Sequence, residues 1–134
     1  MINLVQARAR IAELITTQLG DRVTVYPAAL DATANLPCVA LGVPDFTPDA
    51  QPCVDLITIP VAVVVPLLSR AAMANQDQLE ALWSELVEGL REDIRTQPGL
   101  GIARNAVIRR AQYGGFAIQG QEYPAMVTYL DLFG

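Results

Sequence analysis

The chain lacks histidine and lysine altogether and has only two serines, Ser69 and Ser84, among 134 residues. Without Lys, a phosphate loop of the Gly-rich type cannot be completed. Without His, a serine or cysteine nucleophile would have only a carboxylate as its base. Charge is sparse too, at 17% of residues and net −5, and an acidic chain is poorly suited to gripping nucleic acid by neutralising phosphates. The two cysteines, Cys38 and Cys53, flank a Pro-rich stretch. A disulfide is geometrically possible if their strands pair, but the N-terminus carries no secretory signal, and we read both as reduced, buried thiols. The most apolar run, Leu56 to Leu68, contains prolines and is too short to span a bilayer. The expectation is a soluble protein made in a cytoplasm, with no membrane partner, catalytic residue, metal or cofactor, whose function lies in its surfaces.

What is present is apolar. Hydrophobic residues make up 52% of the chain, above the average for a globular domain of this size. The surplus fits burial between subunits, the alternative being a monomer with an unusually greasy surface. All nine basic residues are Arg. A planar fork of donors suits interface ion pairs, while a GC-rich coding sequence would give the same bias.

The length and the absence of linkers, repeats and low-complexity tracts imply one domain over residues 1–134. Leu4, Ile11, Leu14, Ile15 and Leu19 fall at helical spacing from Ile2 to Leu19, with Asn3 as cap and Gly20 as stop. Arg22 to Tyr26 and Cys38 to Val43 read as short strands, with a small polar loop from Ala28 to Leu36 between them. Prolines 44, 48 and 52 make Pro44 to Pro52 an extended, exposed loop with Asp45, Phe46 and Asp49 on it. Val54 to Leu67 is a strand covered on both faces, placed at an edge or bulged where Pro60 and Pro66 lack donors.

A second helix is expected from Asn75, with Gln78 completing a capping box. Its stripe is Leu79, Leu82, Trp83, Leu86, Val87, Leu90 and Ile94. Glu88 with Arg91 and Glu92 with Arg95 can pair on the outer face, where Glu85, Glu88 and Glu92 read as solvated surface, not as acid–base machinery. Gly89 either permits a close approach or is a tolerated defect. Pro98 and Gly99 stop the helix, and the glycines of Gly99-Leu100-Gly101 follow a helix where a dinucleotide fingerprint would follow a strand. Ala106 to Ile118 and Tyr123 to Phe133 form a hairpin, with a bulge or bend at Gly114 and Gly115. The fold class is therefore α+β: a mixed or antiparallel sheet, two main helices packed on it, and a long C-terminal β-hairpin. Arg109 and Arg110, consecutive in a strand, should point to opposite faces, the inward one meeting an acid of an adjacent subunit.

The order helix, strand, strand, long strand, helix, hairpin resembles that of tail terminator proteins of long-tailed phages. The segments carrying the likeness are ITIPVAVVVPL, then DQLEALWSELVEGLRED, GLG and YGGFAIQGQEYPAMVTYLDLF, with Gly120 to Ala125 the most distinctive piece. The resemblance implies a virion structural protein of the tail neck, a homohexameric ring that caps the tail tube protein, ends tail polymerisation and joins the head–tail connector. It implies no catalysis. DNA would pass through the channel without specific binding, past acidic residues such as Asp45, Asp49 and Asp55. Another neck protein, a head-closure or connector subunit, shares this design; a small ligand-binding α+β domain is the remaining alternative. Phe46, Asp45, Asp49, Arg109 and Arg110 are the residues expected at partner or subunit interfaces.

Overall fold

A computed structural model describes residues 2–28, 35–66 and 72–134, with side chains from residue 76 onward in the last stretch. Its elements are α1 (Leu4–Leu19), β1 (Thr24–Tyr26), β2 (Cys38–Leu41), β3 (Asp45–Gln51), β4 (Val54–Val64), α2 (Ala72–Thr96), β5 (Asn105–Ile118) and β6 (Gln121–Phe133). The strands form one six-stranded mixed sheet in the order β1-β2-β4-β6-β5, with β3 also paired to β4. Only β1 and β2 run parallel. The fold is α+β with two helices and a long C-terminal hairpin, as the sequence leads one to expect.

The first helix is bounded by local chemistry. Asn3 accepts the Gln6 amide on its side chain at 3.1 Å, and Gly20 ends the helix at φ 60, a conformation that is cheap only without a Cβ. Ala7, Ile11, Leu14, Ile15 and Leu19 face inward. From α2 come Leu79, Leu82, Leu86 and Leu90, and from the sheet Ile57, Ile59, Val61, Val63, Leu130 and Leu132, closing one core between the helices and one sheet face. Each such side chain, fully buried, stabilises by roughly 1.5–3 kcal/mol. Trp83 belongs to this layer; its indole N–H donates to Thr128 Oγ1 at 2.7 Å, so the one polar atom of the ring is satisfied.

Several expectations give way. Pro44 to Pro52 is not a loop: Asp45–Gln51 pairs with β4 as a strand, all seven residues exposed. Pro48 is admissible because β3 is an outer strand, where a missing donor costs no ladder bond. Nor is β4 an edge strand, since it pairs with β6 along one side and shares the other between β3 and β2. Pro60 falls at the handover, after Thr58, the last partner of β3, and before Val61, the first of β2. Its carbonyl still accepts from Gly42 at 2.7 Å. Among the described residues no helix lies on the far face of the strand, although Ala62 and Val64 are buried there in a second cluster with Cys38, Ile118 and Ala125.

Helix α2 begins at Ala72, ahead of Asn75, so that residue lies inside the helix and not at its cap. Glu92 pairs with Arg95, whereas Glu88 and Arg91 form no ion pair among the described residues. Gly89 marks a close approach: the three atoms nearest to a Cβ built there all belong to Gln18. The irregularity in β5 sits between Ile108 and Ala111, not at Gly114 and Gly115, which stay in register with Ala125 and Pro124. Cys38 and Cys53 are both free, but only Cys38 is buried. The expected loop from Ala28 to Leu36 falls largely outside the described residues, as do Leu67 and Ser69.

Candidate interaction surface

The β3 arm is held out by its own turn. Gln51 pairs with Val54, leaving Pro52 and Cys53 at the corner. Cys53 has φ 62, and Pro followed by a positive-φ residue is the signature of a type II turn. Asp49 is also left-handed, at φ 50, which an Asp tolerates better than most residues. Its amide donates to Asp55 Oδ1 at 3.1 Å. Phe46 is 55% exposed. It lies opposite Ile57 of the core, so it stands on the helix-bearing side of the sheet. Asp45, opposite Thr58, stands on the other side.

On that helix-free side a polar group is set into an apolar sheet. Thr58 Oγ1 donates to Asp131 Oδ1 at 2.7 Å, and Arg109 Nε reaches Asp131 Oδ2 at 3.2 Å. The Arg109 guanidinium also lies 5.3 Å from the centre of the Tyr129 ring, within the range of cation–π attraction. Asp131 is only 8% exposed; a buried carboxylate needs this compensation, because leaving it unpaired is costly. The bulge makes the geometry possible. Two residues, Arg109 and Arg110, fit between Ile108, opposite Leu130, and Ala111, opposite Thr128. The strict opposition of consecutive strand residues is thereby lost. Arg109 thus finds an acid within its own chain, where the sequence led one to expect an acid of an adjacent subunit.

Strand β5 forms one border of the sheet. At its start, the Ala106 amide donates outward to the carbonyl of Pro98 at 2.8 Å, so the turn after α2 covers the edge there. Farther along nothing comparable appears among the described residues. Tyr113 is 49% exposed and donates its hydroxyl to Glu80 of α2, which tethers the helix to the strand. That bond, and a second from Gln76, hold Glu80 below the usual carboxylate range, and the carboxylate in turn raises the Tyr113 phenol. Glu85, likewise exposed, is drawn down by its hydrogen bond from Arg22.

The residues expected at an interface therefore divide between two borders of the sheet. Asp45, Phe46 and Asp49 lie on β3, and Arg109 and Arg110 on β5, with β4 and β6 between them. Asp131, Thr58, Tyr113 and Glu80 escaped the sequence reading, because their roles depend on cross-strand register and on how α2 lies over β5. Among the described residues no three His, Cys, Asp or Glu gather as metal ligands, and no helix is long and apolar enough to cross a membrane. A hollow of about 310 Å³ lined by Ile2, Gly101, Ile102, Ala103, Arg104 and Gly134 offers Arg104 as its one charged side chain. Comparison with protein-family models and with curated proteins returns no match.

Proposed function

We propose that the protein is a structural subunit of a ring that closes the tail tube of a long-tailed phage, ends tail polymerisation and presents a face to the head connector. The observation that carries this reading is the form of the sheet. One face is sealed by the helices, while the chain holds out a seven-residue arm whose every residue is exposed and ends its other border in a fourteen-residue strand. Long open strand edges invite pairing with another chain. Support also comes from the element order, which resembles that of tail terminators apart from the added strand β3, and from the apolar surplus. The ring would be a homohexamer acting in the virion neck, in contact with itself and with the tube and connector proteins.

Electron microscopy of particles made without this gene tests the reading. The expected result is tails of uncontrolled length without heads. Tails of normal length lying beside unjoined heads would instead mark a head-closure or connector subunit, and normal virions would end the proposal.

A further inference from the structure

The two borders of the sheet formed by β3 and β5 carry opposite charge. On the β3 side are Asp45, Asp49 and, at the base of the arm, Asp55; none of them is ion-paired among the described residues. On the β5 side are Arg104 and Arg110, equally unpaired there, and both exposed. From Ala111 to Ala117 the β5 border has no charge and no proline, the two features with which proteins usually blunt an edge.

We infer that the β3 arm of one copy docks along the open border of β5 in the next, Phe46 beside Tyr113 and Asp49 beside Arg110, so that the sheets join head to tail. This contact rests on the ring reading above and specifies how the ring is made. Strand polarity permits it. β3 runs antiparallel to β4, β4 to β6 and β6 to β5, so β3 and β5 point in opposite directions and a neighbour's β3 continues the sheet in the antiparallel sense. The faces agree as well. Phe46 lies opposite Ile57, and Tyr113 opposite Met126, both of the helix-side core. In a continued sheet these two exposed aromatics share one face, where a cross-strand aromatic pair is favourable. Asp45 and the Arg109 cluster share the other face.

The alternatives are weaker on the same grounds. A two-fold pairing of β3 with β3 about Thr47 sets Asp45 opposite Asp49, and like charges directly opposed destabilise a sheet; a two-fold pairing of β5 with β5 over Ala111 to Ala117 forfeits the contact of Asp49 with Arg110. Charge therefore selects a heterologous contact, which generates rings when the rotation closes.

The test joins cysteine cross-linking to charge reversal, in a Cys53→Ser background. Phe46→Cys and Tyr113→Cys combined in one chain, oxidised with diamide, should give disulfides between position 46 of one copy and 113 of another. Within a chain the two sites are three strand spacings apart and, since Phe46 is level with Leu132 and Tyr113 with Met126, six residues apart along the strands, roughly 24 Å in all and well beyond disulfide reach. Asp49→Arg or Arg110→Glu should each weaken assembly at least tenfold by light scattering. Both changes in one chain should restore it. An equal mixture of arm-variant and edge-variant chains should assemble again, with the two kinds of chain alternating, because both contacts between unlike chains are then complementary. Links of 46 to 46 or 113 to 113 overturn the head-to-tail contact. Assembly that persists through every charge variant without a 46–113 link also overturns it and leaves the ring reading standing. A wild-type chain that is monomeric both free and on tail tubes overturns both.

Discussion

Cys38 and Cys53 stand at opposite extremes of access. Cys38 is enclosed on β2 with Ala62, Val64, Ile118 and Ala125, and burial pushes its thiol from 9.0 up to about 11. A thiol whose folded value is raised stays protonated after the unfolded chain has begun to ionise. Its stabilising contribution is thus full below pH 9 and is lost as the pH rises through about 11. The loss should be on the order of 2 to 3 kcal/mol, read from urea unfolding across that window, and Cys38→Ala should remove that part of the slope. In the native protein at pH 8, an aromatic disulfide reagent should titrate Cys53 alone, with Cys38 following only in denaturant. Equal native reactivity of the two thiols would contradict the packing described. The sequence placed these thiols in reduced form; it did not separate the buried one from the exposed one, since that depends on which residues lie across the sheet.

Among the elements, the crossing of α1 over α2 is the most exposed to a single substitution. A Cβ on Gly89 would sit 2.3 Å from Gln18 Cδ, and the Gln18 amide donates to Asp93 at 2.5 Å. Gly89→Ala alone should therefore lose stability by expelling Gln18, although alanine favours the helix by roughly 1 kcal/mol. In a Gln18→Ala background the same change should become stabilising by about that amount. A double-mutant cycle by chemical denaturation reads the reversal, and additivity of the two changes would refute the contact. The stripe of α2, the cap at Asn3 and the stop at Gly20 were legible because each is encoded within a few residues; the hairpin turn, expected over Gln119 to Glu122, narrows to Gln119 and Gly120, both at positive φ. Strand β3 was not legible. Its prolines argue against a strand, and what makes it one is the unclaimed side of β4 next to it.

At the scale of the whole molecule, a net charge of −5 and an acidic β3 arm give duplex DNA little to bind. Filter retention of DNA at physiological salt should show no measurable affinity, which the proposed ring would require of its channel. Tight binding that falls steeply with salt would contradict that picture. Arg109 illustrates why such surface questions resist a linear reading. It is committed internally to Asp131, whereas Arg104 and Arg110, identical in type and close in sequence, are exposed and form no ion pair among the described residues.

The sequence by itself determined the α+β class, the two amphipathic helices and the closing hairpin, because helical periodicity, caps and turns are local properties of a chain. Tertiary structure alone decided that β4 is central, that Pro60 sits where one neighbour hands over to another, that a bulge at Arg109 and Arg110 carries an arginine to a buried aspartate, and that acidic and basic residues border opposite sides of the sheet. Each of these is a matter of register between segments distant in sequence. Register is set by the summed packing of all the strands and by no single stretch of residues.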